Sequence, residues 1–83
     1  MISSRRIGSF KLSGTLINEN PEAVKAVMAK VVVAGAEYKI EDDCVHYIAL
    51  HDDFHIVPEG ARPYQYKVYI SADGGEYQVE FKC

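Results

Sequence analysis

Between Tyr64 and Lys82 apolar and polar residues alternate so strictly that an extended chain would sort them onto two faces. Tyr66, Val68 and Ile70 fall on one face with Tyr77, Val79 and Phe81, while Gln65, Lys67, Tyr69, Ser71, Gln78, Glu80 and Lys82 fall on the other. Asp73-Gly74-Gly75, between the two runs, tolerates the positive φ that a tight reversal needs, so the pattern predicts a hairpin. Two strands alone are marginal in water. The rest of the chain must cover the apolar face.

Residues 5–17 place Phe10, Leu12 and Leu16 at even positions and Ser9, Lys11, Ser13 and Thr15 at odd ones, which predicts a first strand with one wet face. Gly14 interrupts the apolar row and marks an expected bulge or bend. Asn20-Pro21-Glu22 is a helix start: Asn20 accepts from free backbone donors, Pro21 has no donor to leave unpaired, and Glu22 sits at the positive end of the dipole. Val24, Val27, Met28 and Val31 then form one stripe, with Lys25 and Lys30 facing water. The helix is expected to stop between Ala29 and Ala34, where β-branched Val31-Val32-Val33 opposes it and Gly35 suits a C-terminal cap.

Beyond Gly35, AEYKIE and CVHYIAL predict a second hairpin across a two-residue loop, Asp42-Asp43. That register sets Ile40 opposite Val45, Tyr38 opposite Tyr47 and Ala36 opposite Ala49, all pointing inward. Lys39, His46, Ile48 and Leu50 then take the outer face. Pro58, Gly60 and Pro63 forbid regular structure in the connection that follows, which Phe54, Ile56 and Val57 anchor or briefly continue as strand. The order β-α-β-β-β-β implies a two-layer α+β domain over residues 1–83, with one helix in the N-terminal half packed on a single antiparallel sheet of about five strands. The helix stripe would rest on Phe10, Leu12, Tyr38, Ile40, Tyr47, Val68, Ile70, Val79 and Phe81.

Val31-Val32-Val33-Ala34-Gly35, followed by a tyrosine-containing strand, resembles the Gln-Val-Val-Ala-Gly hairpin motif of cystatins, without the glutamine at its head. The resemblance covers five residues and implies a helix wrapped by an antiparallel sheet. With no tryptophan for the second contact loop of that family, it bears on architecture and not on protease inhibition.

Eighty-three residues suffice for one core, and a domain of this size buries only about 60–65% of the surface its unfolded chain exposes. Ordinary globular composition, 48% apolar and 25% charged, excludes a disordered tail or a fibrous repeat. The apolar run from Val31 to Ala36 is too short to span a bilayer, and Met1 to Arg6 has no apolar stretch behind its arginines to form a secretory signal. Cys44 and Cys83 are expected to be free thiols, so the reading is cytoplasmic, without a membrane. The net charge of −3 is uneven: Arg5, Arg6 and Lys11 make the first seventeen residues basic. Residues 37–59 carry Glu37, Glu41, Asp42, Asp43, Asp52, Asp53 and Glu59 against Lys39, seven acids to one base and a formal −6. Such a segment repels nucleic-acid phosphate and favours a basic protein surface.

Candidate chemistry is sparse. His51 and His55, with Asp52, are spaced to share a metal on a helix, but turn residues around them withhold that geometry; a metal protein or small enzyme using His51, Asp52 and His55 is the competing class. There is no phosphate loop, no Gly-x-Ser-x-Gly and no paired-cysteine spacing, so the expectation is no enzyme and no cofactor. A nucleic-acid-binding sheet, using Lys67 and Tyr69 or Arg5 and Arg6, is the third class. The favoured expectation is a protein-binding strip of His46, Ile48, Leu50 and Tyr69 on the outer sheet face, rimmed by Asp52 and Asp53, through which two copies stack as a homodimer. Size and charge suit a small inhibitor that occludes a larger nucleic-acid-handling protein, by analogy with phage anti-defence, anti-CRISPR-like proteins.

Overall fold

The computed structural model describes residues 4–82, as β1 (Ser4–Ser13), α1 (Gly14–Glu19), α2 (Pro21–Met28), β2 (Val32–Lys39), β3 (Cys44–Leu50), β4 (Ile56–Pro58), β5 (Tyr64–Gln65), β6 (Lys67–Asp73) and β7 (Glu76–Lys82). The small α+β expectation holds, with two sheets and two helices in place of one of each. The larger sheet runs β2-β3-β1-β4, with β5 parallel to β1 over Gly8 and Ser9. The β6–β7 hairpin is a second sheet of its own.

The hairpin forms as its alternation predicts. Val68 pairs with Phe81 and Ile70 with Val79, and Gly74 and Gly75 both take positive φ, as a two-residue reversal requires. It does not extend the larger sheet. Val68, Ile70, Val79 and Phe81 instead pack on the core that the larger sheet's inner face supplies through Phe10, Leu12, Tyr47 and Ala49. The chain leaves the β1 edge at Tyr66, whose backbone N–H donates to Ser9 O at 2.7 Å and whose ring lies against Gly8. Helix and hairpin therefore share the second layer.

The helix start at Asn20 is as expected: its side chain accepts from Ala23 N, and Pro21 opens α2. Val27 is fully buried and Val31 nearly so, with Val24 and Met28 packed alongside. The helix stops at Met28, because the β-branched run prevails and enters β2 at Val32; Gly35 lies within that strand and caps nothing. The cystatin-like segment is thus the head of a strand at the sheet edge, not a hairpin tip.

Two other expectations are corrected. The first strand ends at Ser13, whose hydroxyl accepts from Leu16 N at 3.1 Å and caps α1; Gly14 begins this helix and is not a bulge. In the β2–β3 hairpin the loop is four residues, 40–43, so Tyr38 pairs with Val45 and Ala36 with Tyr47. A two-residue type I′ loop needs positive φ at both Asp42 and Asp43, and only Asp43 has it, at 51°. The two-residue slip keeps each side chain on its expected face. Even so, Ala36, Tyr38 and Ile40 are exposed, because the second layer does not reach over β2.

The connection after β3 is ordered by Phe54, fully buried, with its ring stacked on Tyr66 at 4.4 Å and edge-on to Phe81 at 5.1 Å. Ile56–Pro58 pairs with Ser4–Arg6, a short strand where proline and glycine argued against regular structure. Cys44 is a half-buried free cysteine; Cys83 and Met1 to Ser3 lie outside the described residues. No helix among the described residues is long and apolar enough to cross a membrane.

Candidate functional site

The outer face of the larger sheet is built from cross-strand rows that the register defines. Lys11, His46 and Glu37 form one row, and Ser9, Ile48 and Gly35 the next. Ile7, Leu50 and Val32 form the third. Ile48 stands between a serine and a glycine, with open space above Gly35, and so remains 42% exposed; Leu50 is half-buried in its row. A shallow concavity of about 390 Å³ lies beside Ile48, lined also by Ser9, Gly35, Glu37 and His46.

One end of this face is held by Asp42. Its Oδ2 accepts from His46 Nε2 at 3.0 Å and lies 3.6 Å from Lys11 Nζ. Desolvation pushes the Asp42 carboxyl up, but the His46 hydrogen bond and charge, with Lys11, outweigh it and leave the pKa below the usual carboxylate range. Beside it the Tyr38 hydroxyl donates to Asp43 Oδ1 at 2.6 Å. That bond raises the phenol above its ordinary value, with desolvation and the charges of Asp43, Asp42 and Cys44 adding to it. At the other end Asp52 and Asp53 are exposed just past β3, and Asp53 N–H donates to His51 Nδ1 at 3.0 Å. The apolar centre therefore lies between two acidic turns.

His46, Ile48 and Leu50 share the face that the sequence assigns to them, and Asp52 and Asp53 border it. Tyr69 does not join them. It is exposed on β6, where it alternates with the core-packing Val68 and Ile70, so it points outward on the opposite side of the core from Ile48. Its neighbour there is Lys82, whose Nζ lies 5.5 Å from the ring centroid.

The His51, Asp52 and His55 set is also not assembled into one centre. The His51 ring packs at 5.3 Å on Phe54 and 5.4 Å on Phe81, whereas His55 lies against Tyr64 at 5.1 Å. Among the described residues no three His, Cys, Asp or Glu side chains converge on a point that would suit a metal ion. Two features escaped sequence reasoning. One is an open cleft of about 510 Å³ that brings Lys30 to Arg5 and Arg6, with Val32, Leu50 and Asp52. The other is the bare edge of β2, with Val32 at 65% and Ile40 at 79% exposure. The Val31-Val32-Val33 run hinted at the second; nothing local linked Lys30 to the arginines.

No family model, curated protein or solved structure matches the chain.

Proposed function

We propose that the chain is a non-enzymatic protein-binding module that occludes a partner through the outer face of its larger sheet. The carrying observation is Ile48, an isoleucine left half in water between Ser9 and Gly35 while its strand neighbours Tyr47 and Ala49 turn to the other face and pack into the core. Acidic turns at both ends of β3 favour a partner whose apolar contact is flanked by Lys or Arg. The test is affinity capture from the native source with wild-type, Ile48→Lys and Tyr69→Lys baits. A partner held by wild type and Tyr69→Lys but lost with Ile48→Lys supports the reading. Retention by all three baits removes the outer face as the docking surface.

A second reading rests on the cleft shared by Arg5, Arg6 and Lys30, which suits phosphate groups. It predicts salt-sensitive retention of the protein on DNA or RNA, lost when both arginines are replaced by alanine. Asp52 in the same cleft and the Arg6 hydrogen bond to Phe54 O at 3.2 Å weigh against it.

A further inference from the structure

We infer that β2 is the interface of a symmetric dimer, in which two copies pair edge to edge, antiparallel and centred on Tyr38, to continue the larger sheet across both chains. Beyond the outer-face reading, this assigns a different surface to a second copy of the same chain.

A sheet edge is a template for another strand, and proteins blunt it with proline, short length or cover. β2 runs eight residues without proline and takes an edge position, with β3 on one side and, among the described residues, no strand on the other. Every residue in it except Gly35 is exposed, and both faces carry apolar side chains: Val32 on the outer face, and Val33, Ala36 and Tyr38 on the inner. A bulge between Val33 and Gly35 disturbs the first half, which leaves the second half, up to Lys39, for regular pairing.

Charge decides the partner and the register. Across a twofold axis normal to the sheet, opposed residues must lie on the same face, so the axis passes midway between two copies of one residue. Centred on Glu37, the pairing sets Glu37 against itself. Centred on Lys39, it opposes Lys39 to Lys39 and Glu37 to Glu41. Centred on Ala36, it places Glu37 opposite Gly35 and Lys39 opposite Val33 at the bulge. Only centring on Tyr38 sets each Glu37 against Lys39 of the other copy, and does so twice. The same register brings the two Tyr38 rings together on the inner face, each ring already held by its 2.6 Å bond to Asp43, and sets Ile40, the first loop residue, near Ala36 of the other copy. It covers Tyr38 and Ile40, which are 54% and 79% exposed in one chain.

The test is sedimentation equilibrium up to about 0.5 mM protein, at low and high salt, where the expected mass is twice the 9.3 kDa of one chain. Glu37→Lys and Lys39→Glu each place like charges opposite one another and should weaken self-association by about ten-fold. Mixing the two variants should restore a dimer, as should the double variant, which also shows that the substitutions leave the fold intact. Ile48→Lys should dimerise as wild type does, so loss of the outer-face reading leaves this one standing, and the reverse holds too. A monomer throughout the concentration range, a dimer indifferent to the charge reversals, or a dimer lost with Ile48→Lys overturns the proposal.

Discussion

The ring of Tyr66 occupies the space in which a side chain on Gly8 would stand: a Cβ at Gly8 would lie 2.5 Å from Tyr66 Cε2 and 2.9 Å from Phe54 Cδ2. The turn from the β1 edge into the second layer thus depends on a missing methyl group. Gly8→Ala should lower the unfolding free energy by about 1–3 kcal/mol, the range for overpacking a filled core. Urea unfolding of Gly8→Ala, Tyr66→Ala and the double variant checks the cause. The alanine at position 8 should be much less harmful once the ring is gone, with a coupling of about 0.5–3 kcal/mol. Additive losses would mean that the two residues do not compete for the same space.

Asn20 ties the helix to the last hairpin, within the second layer, through one oxygen. Its Oδ1 accepts from Ala23 N at 3.4 Å and from the Tyr77 hydroxyl at 3.2 Å, so the cap of α2 also reaches β7. Asn20→Ala should cost about 1–2 kcal/mol, as loss of a cap does, and Tyr77→Phe about 0.5–1.5 kcal/mol. Because the Tyr77 hydroxyl's one partner among the described residues is the atom that Asn20→Ala removes, Tyr77→Phe should have little effect in that background. Thermal unfolding of the four proteins measures this; an undiminished Tyr77→Phe effect would place the hydroxyl's contribution elsewhere.

Local rules were legible where a single strand or cap satisfies them. Alternation from Lys67 to Lys82 and the two glycines determine the last hairpin, and Asn20-Pro21 determines the start of α2. Alternation tells which residues share a face but not which strand lies alongside, so Tyr69 sorted to an outer face that proved to be another sheet's. Register escaped for a related reason: sliding β2 by two residues changes every partner and no face. Gly14 and Gly8 look alike in sequence. One opens a helix beneath Ser13 and the other admits Tyr66, a distinction that needs residues more than fifty positions away. His46 and Ile48 were readable as one patch because they alternate with Tyr47 and Ala49, which the core claims.

The Asp42 carboxylate predicts an acid-sensitive β2–β3 turn. Its folded pKa lies below the unfolded value of about 3.9. The stabilising contribution is therefore complete above that value and is lost as pH falls through the folded pKa. Urea midpoints from neutral pH down to about pH 2 should drop more steeply for wild type than for Asp42→Asn, and the two curves should converge at the acid end. Because His46 and Lys11 supply the favourable charge at a solvent-facing site, added salt should narrow the difference. Parallel curves at all pH values would show that Asp42 contributes nothing through its charge.

Tyr38 makes the opposite prediction, at alkaline pH. Its hydroxyl is a donor to Asp43, so the neutral phenol is the form that the fold favours, and its pKa lies above the ordinary value of about 10. A raised pKa contributes stability below the unfolded value and loses it as pH climbs through the folded one. Asp43 is itself constrained: it has φ of 51°, and its carbonyl accepts from Gly14 N at 2.8 Å, so replacement must keep the left-handed backbone. Asp43→Gly does so while removing the acceptor. A carbon-detected NMR titration should find Tyr38 ionising above the ordinary phenol range in wild type and returning toward it in Asp43→Gly. Asp43→Asn, which keeps an acceptor oxygen without the charge, should fall between the two. If Tyr38 titrates at the same pH in all three proteins, the hydrogen bond does not exist in solution, and the ring has no anchor to hold it at the edge of β2.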